Sequence, residues 1–107
     1  MAEAGADAII AHVGTTVGGS IGVTGATCSM DDAIKRTQAV IEGAKAVRND
    51  IYYLCHGGPI ATPQDAQDVC AATDCVGFVG ASSLERLGVE APLIEITERF
   101  KKIKVKR

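Results

Sequence analysis

Three apolar runs of strand length, "ADAIIAHVG" (residues 6–14), "DIYYLCH" (50–56) and "CVGFVGA" (75–81), recur along the chain, each ending at or running into glycine before a stretch of helical periodicity. Strand, helix, strand, helix, strand, helix is the rhythm of repeated right-handed βα units on a parallel sheet. The first run is continuously apolar, which predicts a strand buried on both faces. Three parallel strands cannot close a barrel, and each leaves an apolar surface or an unpaired edge open to water unless something covers it. The sequence therefore predicts either part of a larger α/β protein or one component of a self-assembled sheet.

The helical stretches carry their own punctuation. In "SMDDAIKRTQAVIEGAKAVR" (29–48), Ala33, Ile34, Thr37, Val40, Ile41, Ala44 and Val47 fall on one stripe, with Ser29 and Asp32 in capping positions. In "TPQDAQDVCAAT" (62–73), Thr62 is placed to cap, Pro63 takes the first helical position, and Ala66, Val69, Cys70 and Thr73 form the buried side. "SSLERLGVEAP" (82–92) reads as a short helical turn with a break. "LIEITERFKKIKVKR" (93–107) offers Leu93, Ile96, Phe100 and Ile103 as the face of a final helix, whose basic end suits the negative pole of the helix dipole. Between the first strand and the first helix, "TTVGGSIGVTGAT" holds four of the twelve glycines and reads as a long loop.

Bulk properties narrow the function classes. A chain of 107 residues has room for one small domain, 1–107. A formal net charge of -2 with 22% charged residues lacks the basic excess of a nucleic-acid binder, so no nucleic-acid partner is expected. No apolar run approaches a membrane span and the N-terminus lacks the pattern of a signal peptide, so the expectation is a cytoplasmic protein with no membrane partner. Cys28, Cys55, Cys70 and Cys75 contain no CxxC pair, and neither histidine sits near a second ligand in sequence. Reduced, mostly buried thiols are the reading, in place of a zinc site or a disulfide framework.

In parallel α/β architectures ligands bind beyond the carboxyl ends of the strands, and the unusual residues of this chain fall there. After the first strand come His12, Gly14, Gly18, Gly19 and Ser20; after the second, Cys55, His56, Gly57 and Gly58; after the third, Gly80, Ser82, Ser83, Glu85 and Arg86. Glycines at such positions let backbone N–H groups approach an anion closely. "HGG" and "GASS" on adjacent strand ends are therefore read as two walls of a phosphate or carboxylate site, against the plainer reading of tight turns. His12 and His56 are the candidate general acids or bases, because imidazole titrates near neutrality; each also has the plainer role of bonding a loop carbonyl. Strand alternation turns Cys55 and His56 to opposite faces, which argues against a catalytic Cys–His pair. Glu85 is a third proton-transfer candidate, and Arg86 is either a carboxylate clamp or one half of a salt bridge, the latter slightly favoured. The residues show no cofactor; Asp31 and Asp32 are assigned to a helix N-terminus, with a divalent metal at the mouth left open.

Taken together, "GADAIIAHVGTTVGGSIG", "LCHGGPIATPQDAQ" and "GFVGASSLERLGVE" resemble the successive strand-loop signatures of the phosphoenolpyruvate hydrolase-like TIM-barrel family, which also includes the barrel region of plant Tm-1 type virus-resistance proteins. The resemblance runs over nearly the whole chain and is to the C-terminal part of the barrel only. It implies a parallel βαβαβα segment equivalent to about the last three units of a (β/α)8 barrel, incomplete as a single chain. It further implies His12, Gly18, Gly19, His56, Gly57, Gly58, Ser82, Ser83 and Glu85 as mouth residues, and a small phosphorylated or carboxylated keto acid as substrate. The leading expectation is thus an enzyme-derived segment that binds a small anionic metabolite, with hydrolase or lyase chemistry in the full-length form. The competing expectations are a binding or regulatory barrel module without turnover, and an inactive gene fragment. Either the remainder of the barrel or a homo-oligomer is expected to supply the missing cover.

Overall fold

The computed structural model describes residues 1–20, 22–25 and 28–104. In chain order its elements are β1 (Ala8–His12), α1 (Met30–Lys45), β2 (Tyr52–His56), α2 (Pro63–Ala72), β3 (Gly77–Phe78), a short α3 (Ser82–Glu85) and α4 (Glu90–Lys101). The strands form one parallel sheet in the order β1-β2-β3. Strands alternating with helices on an all-parallel sheet make the partial TIM-barrel-like segment that the sequence predicts.

Both long connections start where the capping residues say they should. The Ser29 hydroxyl accepts the Asp32 N–H at 3.1 Å, and hydrogen bonds from Ser29 hold the Asp32 carboxyl below its ordinary value. At α2 the Thr62 hydroxyl accepts the Asp65 N–H at 3.2 Å, while the Asp65 carboxylate accepts from the Thr62 N–H at 2.8 Å, closing a capping box with Pro63 in the first turn. The two helices return onto the same side of the sheet, α1 against β1 and α2 against β2 and β3. Ile41 of α1, Val69 of α2, Cys55 of β2 and Ile60 of the following loop are fully buried between them. Each such aliphatic side chain contributes about 1.5–3 kcal/mol relative to exposure. Of the stripe read from the sequence, Ala33, Thr37, Ile41 and Ala44 are buried, whereas Val40 is exposed at its margin and exposed Val47 lies beyond the end of the helix.

Two expectations need correction. β1 is not buried on both faces: Ala11 and the following Val13 are buried, while Ala8, Ile10 and His12 are exposed. Both helices lie on one side, and among the described residues no element covers the other, so Tyr52 of β2 is exposed as well. The last helix also differs. It begins at Glu90, with Pro92 in the first turn where a missing N–H costs nothing, and ends at Lys101 with Arg99 and Lys101 against its negative pole. Of the apolar face predicted for it, Leu93, Ile96 and Phe100 lie on the helix and Ile103 falls beyond its end; among the described residues nothing covers that face, and no residue of α4 is buried. The molecule is accordingly elongated, 71 × 26 × 20 Å. The end of the final predicted helix, residues 105–107, lies outside the described residues.

Candidate functional site

His12 and His56 close β1 and β2, and the parallel register pairs them directly. Because partners in a parallel ladder project from the same face, both imidazoles stand on the side that, among the described residues, no helix covers. Their ring centroids are 4.9 Å apart with the planes inclined at 60°, an edge-to-face contact. Cys55, one residue before His56, turns the other way and is fully buried among the helices. Burial, with Cys70 and Cys75 close by, pushes the Cys55 thiol up to about 12, which favours the protonated thiol at neutral pH.

The two imidazoles are held by different partners, and the difference fixes their tautomers. His56 Nδ1 lies 2.7 Å from the Val79 carbonyl oxygen. A carbonyl only accepts, so Nδ1 carries the hydrogen and neutral His56 keeps a lone pair on Nε2. His12 Nδ1 instead accepts the Gly14 N–H at 3.3 Å. A backbone N–H only donates, so here Nδ1 is bare and Nε2 carries the hydrogen. One neutral ring thus presents an acceptor and its neighbour a donor.

The glycines after β2 serve this arrangement through their backbones. The Gly58 N–H donates to the Gly14 carbonyl at 2.7 Å, and the Gly58 carbonyl accepts the Val17 N–H at 3.2 Å. Gly57 has a φ of 82°, and a Cβ there would collide with the Gly14 carbonyl oxygen. Gly57 and Gly58 therefore lock the loop after β1 to the loop after β2, and the Gly58 N–H is committed to that lock.

A second cluster lies along the glycine-rich loop. The Ser20 N–H donates to Glu90 Oε1 at 2.6 Å, Arg86 Nη1 donates to the Gly18 carbonyl at 2.7 Å, and Arg86 and Glu90 pair at 3.4 Å. The hydrogen bonds from Ser20 hold the Glu90 carboxyl below its ordinary value. Gly18 and Gly19 allow this approach with φ of 95° and 77°, and the Arg86 guanidinium fills the space where a Cβ of Gly19 would stand. Gly18, Gly19, Ser20 and Arg86 come together around an internal carboxylate, Glu90. Exposed Glu85 lines a hollow of about 310 Å³ with Ser20, Arg86 and Glu90, a lining that does not include the histidines. Ser83 faces a different hollow, between α2 and β3. Ser82 accepts from Arg86 and Leu87 through its carbonyl, and Gly80 sits against the Leu84 side chain.

Glu90 and the Val79 carbonyl are parts of this region that sequence reading missed. Glu90 had a signal, its i,i+4 spacing from Arg86; a carbonyl that sets a tautomer has none. Asp32 serves its helix cap, as described above, and among the described residues no group of three or more His, Cys, Asp or Glu side chains comes together to hold a metal. Also among the described residues, no helix is long and apolar enough to cross a membrane.

Comparison with known proteins agrees with the strand-loop signatures. Over 104 residues, 96% of this chain, the sequence is 44% identical to the ToMV susceptible protein tm-1(GCR26) and to the ToMV resistance protein Tm-1(GCR237) of Solanum lycopersicum. It is 30% identical over 102 residues to y4pA of Sinorhizobium fredii. The chain spans only 14% of the length of each tomato protein and 17% of y4pA. The family profile described as phosphoenolpyruvate hydrolase-like matches residues 1–103, and the chain belongs to that family.

Proposed function

We propose that this segment contributes the histidine pair and the glycine-rich rim of a site for a small phosphorylated or carboxylated metabolite, with hydrolase or lyase chemistry in the longer, cytoplasmic protein of which it is the C-terminal barrel part. The observation that carries this reading is the contact of His12 and His56 at paired strand ends, in opposite tautomers. His56 is the proton acceptor, since its Nε2 holds the lone pair and Val79 steadies the ring as a proton arrives. His12 acts differently. Its Nε2–H is suited to donating a hydrogen bond to a carbonyl or phosphoryl oxygen, because giving that proton away outright would leave an imidazolate. Glu85, on the glycine-rich rim, is kept as a further proton-transfer group, and a basic side chain for the ligand's charge is present there in Arg86.

The test is nitrogen-15 NMR of the histidine side chains, which reads each tautomer directly, during titration with inorganic phosphate, pyruvate and phosphoenolpyruvate. The expected result is His12 as the Nε2–H form and His56 as the Nδ1–H form, both shifting saturably with at least one ligand. His56→Asn should remove turnover in the longer protein while changing ligand affinity by less than about tenfold. Imidazoles that share one tautomer, or that ignore all three ligands, overturn the proposal.

A further inference from the structure

The groups around the Glu90 carboxylate are those with which proteins hold an oxyanion from solution, a backbone N–H of a glycine-rich loop and a guanidinium. The Ser20 N–H donates to Oε1 at 2.6 Å, and Arg86 Nη1 meets Oε2 at 3.4 Å. The loop comes this close because Gly18 and Gly19 take left-handed φ and carry no side chain; a Cβ at Gly19 would strike both the Arg86 guanidinium and the Glu90 carboxylate. The helix itself does not claim the carboxylate. Glu90 stands in the first turn of α4, which has no side-chain cap, and bonds to a residue 70 positions away.

The internal carboxylate fits its seat incompletely. Arg86 Nη1 gives its short bond, 2.7 Å, to the Gly18 carbonyl and reaches Glu90 only at 3.4 Å, so the pair lacks the two parallel bonds of a bidentate match. Among the described residues, Nη2 and Nε of Arg86 have no hydrogen-bond partner, and the side chain lines the hollow of about 310 Å³ that it shares with Ser20, Glu85 and Glu90. A phosphoryl or carboxylate group entering there can take the unspent guanidinium donors together with the Ser20 N–H. Its arrival trades one anion for another: Glu90 turns on a flexible side chain into water, which solvates a free carboxylate well. Exposed Glu85 is the other acid of the hollow, its repulsion weakened by solvent and salt.

We propose that Glu90 is a built-in competitor, its carboxylate occupying the seat of the ligand's phosphoryl or carboxylate group on Ser20 and Arg86, from which it must be displaced before that group binds. The inference rests on the reading of the glycine-rich rim as a binding surface and adds how the seat is kept closed.

Inorganic phosphate is the probe, titrated at constant ionic strength into the chain labelled with carbon-13 and nitrogen-15. In the wild type the Ser20 N–H and the Arg86 guanidinium resonances should shift saturably, while the Glu90 carboxyl carbon moves to the position of a free carboxylate. The Glu90 pKa, which hydrogen bonds from Ser20 hold down, should rise towards its ordinary value once phosphate is bound. Glu90→Gln keeps the shape and removes the charge, and should bind phosphate at least about tenfold more tightly than the wild type. Arg86→Gln should abolish the saturable shift at Ser20. Phosphate that shifts His12 and His56 but leaves Ser20 and Glu90 unmoved would overturn the competitor and leave the histidine reading standing. So would a Glu90→Gln chain that keeps the wild-type circular dichroism and binds phosphate no more tightly. Saturable shifts at Ser20 and Glu90 with silent histidines would support the competitor and count against the histidine reading.

Discussion

The first two βα units and the third are built from similar materials and end differently. α1 and α2 each present an apolar stripe and find the sheet, so that Ile41 and Val69 lose all contact with water. α4 presents an apolar stripe too and finds no cover among the described residues, leaving Phe100 65% exposed. Periodicity makes a helix want cover; the connection decides whether cover is within reach. After β1 and β2 the chain returns to the sheet through loops tied to each other by Gly14 and Gly58. After β3 it passes through α3 and is fastened to the distant glycine-rich loop by Arg86 and Glu90, which points the next helix outward. Stability is therefore concentrated in the first two units, where the buried side chains lie.

The largest expected effect separates these halves. Ile41→Ala removes a fully buried side chain between α1 and the sheet and should cost about 2–5 kcal/mol in urea unfolding, at any protein concentration. Phe100→Ala deletes a larger apolar group, yet in dilute solution its cost should stay within about 0.5 kcal/mol. Equal costs for the two in dilute protein would show that α4 is already packed, and the contrast between the units would be gone.

The next effect concerns the joint between the first two loops. Gly57→Ala places a Cβ against the Gly14 carbonyl oxygen and forces a side chain into a left-handed conformation. The expected loss is about 1–3 kcal/mol. Because Gly14 also donates to His12 Nδ1, the same substitution should change the His12 side-chain nitrogen resonances more than any nucleus of α4. A variant that melts with the wild type would show that the loops are not locked together, and the histidine pair would lose its rigid base.

Much of this was legible in the sequence, for physical reasons that can be named. The strands and the first two helices follow from hydrophobic period, and the caps at Ser29 and Thr62 from side chains whose only local use is to accept a helical N–H. The strand-end positions of His12 and His56 were legible as well, but their direct contact depends on the register of β1 against β2. What stayed hidden was long-range and carried by the backbone. Glycine composition says that an N–H can approach something, not that Gly58 meets Gly14 or that Ser20 meets a carboxylate 70 residues away. Likewise, the alternation of Ile10 and His12 with Ala11 and Val13 is invisible in an all-apolar run, because which face stays bare depends on where the helices settle.

The smallest effect tests the packed half at its edge, through the cap of α2. Burial pushes the Asp65 carboxyl upward, but the hydrogen bonds from Thr62 and Ala61 outweigh it and leave the group below its ordinary value. A carboxylate whose folded value is depressed stabilises the fold fully above its unfolded value near 4, and that contribution is lost as pH falls through the folded value. Asp65→Ala should therefore cost about 1 kcal/mol at pH 7, the worth of a lost cap. The gap between variant and wild type should narrow as the solution is acidified below about pH 4. Urea melts of both proteins at neutral and acid pH measure it. A gap that is unchanged in acid would mean that the charged carboxylate is not what holds the start of α2, and that Pro63 and the packing of Val69 suffice to place the helix on β2.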